Sequence, residues 1–433
     1  MDNSRSQKLL GDYVELQRGN TYKSALLGQP GPVLLGLASI ARNGGFRSDN
    51  LKTYGGDSDA RMLLEPGDIY VSLKDVTQSA DLLGAVSRVP STISQGRLTQ
   101  DTVKLNFKDG NAPKDYIYWL LRTPQYRAYC RAHATGTTNL GLPRDDFLSF
   151  PVPDITPNRK ELVSLLQAFD DKIELNRRTN ETLEAMARAI FKDWFVDFGP
   201  TRAKAEGRAP YLASEIWDLF PDALDDEDKP VGWEVGSISD LADTNNQSWT
   251  ARNHPEFVDY VDLSNAKWGN IDAITTLAWE DAPSRARRIA RAGDTIVGTT
   301  RPGNGSFAYI SQDGLTVSTG FAVLSPREQV YRDVVHIAAT RPENIARLAN
   351  LADGHGGAYP AVKPNEVSDT ELMLPGDSIF TVFAELVAPL RVKIESAKTE
   401  SRTLAQTRDL LLPKLMSGEI RLRDAEKAVE AVA

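Results

Sequence analysis

Apolar, small and polar positions alternate at steps of three and four along residues 172 to 195, and the same spacing returns at 393 to 416. Such spacing holds one stripe of a helix toward a partner helix. The first stripe is Ile173, Asn176, Asn180, Leu183, Ala187, Ile190 and Trp194; the second is Ile394, Ala397, Ser401, Leu404, Arg408, Leu411 and Leu415. The offset is 393 − 172 = 221 and needs no gap, so Lys172, Ile173, Glu174, Thr182 and Leu183 recur as Lys393, Ile394, Glu395, Thr403 and Leu404. Each stripe is small or polar in its middle and apolar at its ends. A seam of that kind is too weak for a free-standing zipper, but two copies in one chain can pack antiparallel and bury each other. Two unrelated amphipathic helices would explain either segment alone. The ungapped register favours one long helix carried twice.

Between and before these helices the pattern changes to short apolar runs punctuated by Gly, Pro and Asp. DIYVSL follows Pro66-Gly67, and TVKLNF precedes Lys108-Asp109-Gly110, which reads as strands closed by turns. A short helix carries Tyr116, Trp119, Leu120 and Tyr126, and Pro151-Val152-Pro153 leads into the first long helix. That helix begins soon after Pro157 and is expected to run to about Phe198, where Gly199-Pro200 stops it. After an acidic stretch, Val231-Gly232-Trp233 opens a second globular region that repeats the first in outline. Gly293-Asp294-Thr295-Ile296-Val297 echoes Gly67-Asp68-Ile69-Tyr70-Val71 (293 − 67 = 226), and Leu374-Pro375 echoes Val152-Pro153 (375 − 153 = 222).

The expected fold is α+β: two globular α/β domains separated by two long antiparallel coiled-coil helices, with a pseudo-twofold internal repeat. The segments are a first domain at 1–155, a long helix at 156–198, a linker at 199–230, a second domain at 231–375, a second long helix at 376–416 and a tail at 417–433.

Composition narrows the class. A chain of 433 residues exceeds one hydrophobic core, and 41% hydrophobic with 25% charged residues is ordinary for a soluble globular protein. There is no basic-apolar-small start and no apolar run approaching about 18 residues, so a cytoplasmic protein without a membrane span is expected. The single cysteine, Cys130, excludes an internal disulfide, and His133, His254, His336 and His355 show no metal-ligand spacing. The net charge of −9 disfavours a generic nucleic-acid coat. Residues 1–155 hold 18 Lys+Arg against 16 Asp+Glu, whereas 231–375 hold 12 against 18, so any DNA affinity must come from local clusters. The clearest is Arg285, Arg287, Arg288, Arg291 and Arg301.

Catalytic motifs are missing. There is no Pro-Pro for an amino-methyltransferase, no Gly-Lys for a P-loop, no H-E-x-x-H and no G-x-S-x-G. Arg301-Pro302-Gly303-Asn304-Gly305 is glycine-rich but reads as a turn. No catalytic residue, metal site or cofactor is expected.

The segment LVSLLQAFDDKIELNRRTNETLEAMARAIFKDWFVDF resembles the central conserved region of specificity subunits of type I restriction-modification systems, and RDLLLPKLMSGEI at 408–420 resembles their distal conserved region. The resemblance covers nearly the whole chain in layout. It implies two target-recognition domains held apart by antiparallel helices, each reading one half of a split DNA site. It further implies no catalysis by this chain, docking of two modification (methyltransferase) subunits that methylate adenine, and a motor-nuclease subunit for restriction. The acidic second domain is the main departure from the pattern.

The duplication points to a similar assembly independently, since two equivalent helical units present equivalent surfaces to two copies of one partner. Phe191, Trp194, Phe195 and Phe198 in one copy, with Leu411, Leu412, Leu415 and Met416 in the other, exceed what a two-helix seam can bury; they are candidates for partner contact or for packing on the chain's own domains. A helix of about 38 residues spans roughly 57 Å, enough to set two domains about one duplex turn apart, about 34 to 36 Å. Base-reading candidates are Arg42, Arg47, Lys52, Lys74, Thr77, Thr137 and Asn139 in the first domain, and Arg287, Arg288, Arg301, Asn304, Tyr359 and Lys363 in the second. Such side chains supply bidentate donors, methyl contacts and stacking faces. The loops around Thr137 and Tyr359 stand out, because both are Gly-rich and lie just upstream of a long helix. The competing readings are a protein-binding scaffold with two adaptor domains on a coiled-coil spacer, which suits the acidic charge, and a self-contained nuclease or methyltransferase, which needs motifs the chain lacks.

Overall fold

Each repeated segment forms one helix, Pro157–Phe195 of 39 residues and Asp377–Ser417 of 41 residues, in a computed structural model that describes residues 8–48, 51–77, 79–137, 139–356 and 359–417. Proline at the first position suits the first helix, because its missing N–H would be unpaired there anyway. That helix stops at Phe195 rather than Phe198. Phe198 takes a left-handed backbone (φ 54°) and caps a new helix, Gly199–Ala205, so Gly199-Pro200 begins a helix as well as ending one.

The chain divides into two compact units, Met1–Glu174 with Glu400–Ala433, and Leu175–Thr399. Each unit holds one globular domain and part of both long helices. In the first, a four-stranded sheet runs in the order Val14–Arg18, Thr102–Phe107, Ile69–Ser72, Val86–Arg88. In the second, the order is Ala242–Thr244, Phe321–Pro326, Thr295–Gly298, Phe307–Tyr309, with every pairing antiparallel in both. The central strands Ile69–Ser72 and Thr295–Gly298 are buried along their whole length, and each is entered through the left-handed glycine of the echoed motif, Gly67 (φ 87°) or Gly293 (φ 99°).

A second sheet repeats as well. Val33–Leu35 runs parallel to Gly96–Leu98, which pairs antiparallel with Leu63–Leu64. In the other unit Phe257–Val261 runs parallel to Leu315–Ser318, which pairs antiparallel with Ala286–Ala290, and Thr275–Ala278 adds an outer strand. The helices follow suit: Lys114–Leu120 and Pro124–Ala132 correspond to Arg332–Thr340 and Pro342–Gly354. The entry helices Leu10–Tyr13 and Ile238–Leu241 are each closed by a carboxylate, Asp12 accepting from the Leu9 N–H and Asp240 from the Ser237 N–H, both at 2.8 Å.

The long helices pack antiparallel inside each unit. In the first, Lys172 pairs with Glu400 at 3.3 Å, while Leu162, Leu166 and Phe169 share the domain core with Leu411 and Leu412. In the second, Asn176 donates to the Ala397 carbonyl at 3.4 Å, and Ala187, Phe191, Trp194 and Phe195 share the core with Ile379, Phe380, Phe383 and Val387. The α+β architecture with a repeated domain and paired long helices is therefore the one expected from the stripe pattern.

Candidate nucleic-acid interface

In the second domain three loops distant in sequence meet where the core strand Thr295–Gly298 ends. Thr300 bridges Ala361, the Val362 N–H donates to the Thr299 carbonyl (2.9 Å), and the Arg301 N–H donates to the Pro360 carbonyl (2.8 Å). These bonds stitch residues 359–362 alongside residues 299–305. Arg301 has a left-handed backbone (φ 48°) ahead of the tight turn Pro302–Asn304, which Gly305 (φ 69°) closes. The third loop is Ser264–Gly269. Its Trp268 N–H donates to the Gly305 carbonyl (2.7 Å), its Gly269 N–H to the Phe307 carbonyl (3.0 Å), and its Lys267 ammonium to the Ser306 hydroxyl (2.9 Å).

Together these loops enclose an open hollow of about 260 Å³ lined by Leu263, Ser264, Lys267, Thr300, Arg301, Asn304, Ser306 and Tyr359. The lining carries two cations and no carboxylate, so its field favours an anion. The Tyr359 side chain is 77% exposed, with the Arg301 guanidinium 5.7 Å from its ring centre. Trp268, also left-handed (φ 46°), lays its indole over Gly305, where even a Cβ would come within 2.4 Å, and stays 48% exposed. One exposed aromatic, a guanidinium and an ammonium thus stand around the hollow, and Trp268 is held next to Lys267 by its bond to Gly305. Such a set suits a phosphate-bearing ligand with flat bases.

Of the sequence candidates, Arg301, Asn304 and Tyr359 come together here, and Lys363 is exposed one residue beyond Val362, at the start of the short helix Pro364–Ser368. Arg287 and Arg288 do not line the hollow; both sit on the strand Ala286–Ala290. Arg288 is partly buried and donates to the Asn245 side chain and the Phe321 carbonyl, and burial lowers its pKa. Arg287 stacks on Trp279 at 4.2 Å. Sequence reasoning missed Lys267, Trp268, Ser264 and Ser306. The available signal was a basic-aromatic pair next to a turn glycine, Lys267-Trp268-Gly269.

The first domain builds the same platform with other side chains. Lys74 pairs with Gly141 as Thr300 does with Ala361 (300 − 74 = 226, 361 − 141 = 220). Its loop is organised by the fully buried Asp75, which accepts from the Thr77 N–H, the Thr77 hydroxyl and the Leu82 N–H, each at 2.7 Å. Lys74 sits 3.4 Å from Asp101. Thr135 closes on Gly141, leaving Thr137 and Asn139 exposed at the loop tip. Arg42 is exposed 4.0 Å from Asp81, whose carbonyl accepts from the Asn43 N–H, so residues 41–45 dock against this loop much as 264–269 dock in the other domain. Pairwise contacts thus link Arg42, Lys74 and Thr77 with the Thr137–Asn139 loop. Arg47 is exposed just past the Ile40–Phe46 bridge. Lys52 lies elsewhere, its carbonyl accepting from the Leu34 N–H beside the second sheet.

The apolar helix ends are covered by the chain itself. Phe191, Trp194 and Phe195 are buried against Phe220, Trp233, Phe380 and Phe383; Phe198 is half-buried against Trp233; Leu411 and Leu412 lie in the first domain's core. The side chains of Leu415 and Met416 lie outside the described residues. Of the two alternatives that the sequence left open, packing on the chain's own domains accounts for the described side chains. The long helices do expose other apolar residues: Leu175, Met186, Leu386, Val392 and Leu410.

No protein-family model matches the chain. It is 25% identical over 323 residues to the type I restriction enzyme HindI specificity subunit of Haemophilus influenzae, covering 63% of this chain and 69% of that one. It is also 25% identical over 354 residues to the MjaIX specificity subunit of Methanocaldococcus jannaschii, covering 78% and 75%. The crystal structure of a type I restriction-modification S subunit from M. genitalium superposes with a TM-score of 0.51 at 12% identity, covering 96% of this chain and 98% of that one. The chain is thus similar in sequence to type I restriction enzyme specificity subunits and shares the fold of a type I restriction-modification S subunit.

Proposed function

We propose that this chain is the sequence-specific DNA-recognition subunit of a type I restriction-modification complex, non-catalytic in itself, whose two domains each read one half of a split site. The observation that carries the reading is the three-loop platform built twice on one topology, in a homologue of specificity subunits. Lys267 and Arg301 supply the phosphate and guanine donors that an acidic chain must concentrate locally. Asn304, Thr77, Thr137 and Asn139 can read base edges, and Tyr359 and Trp268 offer stacking faces. The long helices set the unread gap between the half-sites.

The chain docks two DNA adenine methyltransferase subunits and one motor-nuclease subunit in the cytoplasm. Exposed apolar residues of the long helices, Leu175, Met186, Leu386, Val392 and Leu410, are the better candidates for that docking, because the aromatic helix ends are already covered. Mobility shift on a random duplex library, with and without a modification subunit, followed by sequencing of the retained DNA, tests the reading. A split consensus is expected. Retention without consensus, or none in either arm, would select the scaffold reading instead.

A further inference from the structure

The two units seat their domains on the long helices through ion pairs of opposite polarity. The ungapped offset makes Asp170 and Arg391 equivalent (391 − 170 = 221), and likewise Arg188 and Asp409 (409 − 188 = 221), so an acid on the helices of one unit is an arginine in the other at both places. The facing domain helices also align without a gap (332 − 114 = 218). This equates Asp115 with Asp333 and Arg122 with Thr340. Strand register equates Arg88, opposite Ile69, with Tyr309, opposite Thr295.

In the first unit the domain brings the cation. Asp170 accepts from Arg122 at 2.7 Å and from Arg408 at 2.5 Å, and Arg122, its side chain 7% exposed, lies 4.5 Å over the Trp119 ring. The domain's own acid, Asp115, is already engaged by Arg88 at 2.7 Å. In the second unit the helix brings the cation. Arg391 donates to Asp333 at 3.0 Å, with side chains 7% and 6% exposed, and lies 4.9 Å over Tyr309. Thr340, in the place of Arg122, accepts from Arg188 of the first long helix at 3.2 Å.

We propose that this reversal makes each seat selective, so that a domain exchanges only into a seat of its own polarity. The Asp170 seat fits a domain that carries arginine at the end of its first post-sheet helix. The Arg391 seat fits a domain with an unengaged aspartate at the start of that helix. Moving the second domain onto the first seat would set Asp333 against Asp170, with tyrosine and threonine where Arg88 and Arg122 stood. Moving the first domain onto the second seat would set Arg122 beside Arg391 and Arg188, with Asp115 already taken. Each wrong seating adds a like charge to its seat: the first leaves two carboxylates to share Arg408 alone, and the second sets Arg122 beside Arg391 and Arg188 in the absence of Asp333, which the low dielectric of an interface penalises. The inference rests on packing and does not depend on what the loops read.

The test is a full-length chain carrying the second domain at both seats, compared with the same chimera bearing Asp170→Arg and Arg408→Ala, which reproduce Arg391 and Ala187. The unconverted chimera should show a separate thermal transition lower by on the order of 10 °C and rapid proteolysis of its first domain. The converted one should recover a single transition. In the wild-type chain the same two substitutions should lower the melting temperature. A parallel arm in the intact chain needs no exchange: Asp333→Arg and Arg391→Asp each destabilise alone, and together they should recover most of the loss. An unconverted chimera that melts like wild type overturns the proposal, and so does a charge swap that recovers nothing.

Discussion

One position of the shared frame is Asp75 in the first domain and Arg301 in the second (301 − 75 = 226). Asp75 is fully buried and spends its carboxylate on its own loop, so that loop presents small neutral side chains around Thr77. Arg301 is exposed, held outward by a left-handed backbone, and stands by Tyr359 and the hollow that Lys267 also lines. The sheets and helices beneath are the same. The frame thus fixes where a loop stands while leaving its chemistry free: one platform sets its cations Arg42 and Lys74 beside the carboxylates Asp81 and Asp101, and the other lines its hollow with Lys267, Arg301 and Tyr359 and no carboxylate.

The largest expected effect lies below the platforms. Trp194→Ser with Phe195→Ser should destabilise the second unit by roughly 3 to 5 kcal/mol per aromatic, and Leu411→Ser with Leu412→Ser should do the same to the first by roughly 2 to 5 per leucine. Hydrogen exchange would localise each loss to its own unit. If melting stayed at the wild-type value while one modification subunit was lost, these side chains would belong to the partner surface after all.

Next comes the exchange of roles at the shared position. Asp75→Ala leaves two N–H groups and a hydroxyl without their acceptor and should cost about 1 to 3 kcal/mol, with loss of the first half-site and retention of the second. Arg301→Ala should leave melting unchanged. It should weaken binding by about 1 to 3 kcal/mol through the second half-site only, and flatten the salt dependence by about one ion. Equal salt dependence of the two half-sites would break the comparison.

The smallest effect separates the units by pH. His336 is fully buried beside Thr295, and burial holds its pKa well below 6.5, with the nearby Arg391, Arg188 and Lys398 charges acting the same way. Its folded pKa is depressed, so the unfolded chain takes up the proton first. Stability is complete above the unfolded value near 6.5 and falls progressively below it. The second unit should therefore soften on mild acidification. His336→Gln should remove that histidine's contribution to the slope, as read by melting curves across pH.

Much of the frame was legible because it is local. The ungapped offset and the three-four stripe located both long helices, and the Gly-Asp echo located both core strands. The sheet order was not legible, since Val14–Arg18 finds Thr102–Phe107 only across most of a domain. The loops of Arg301 and Tyr359 announced themselves through glycines, whereas Lys267 and Trp268 join them only through backbone bonds to Gly305 and Phe307 that no spacing encodes. Arg288 shows the converse: in sequence it belongs to an arginine cluster, and in the fold its guanidinium donates to a carbonyl and a side-chain amide oxygen.

Trp268 and Arg301 hold left-handed backbones in the second domain that glycine would adopt more readily. Glycine at Arg301 would relieve roughly 1 to 2 kcal/mol of steric cost while deleting a side chain that the proposed function assigns to DNA, whereas glycine at Trp268 would also lose the indole's packing on Gly305 and Phe307. On the proposed function, thermal robustness and target choice therefore pull Arg301 in opposite directions. A lineage released from its target would be expected to drift toward glycine there, gaining stability as it lost its word.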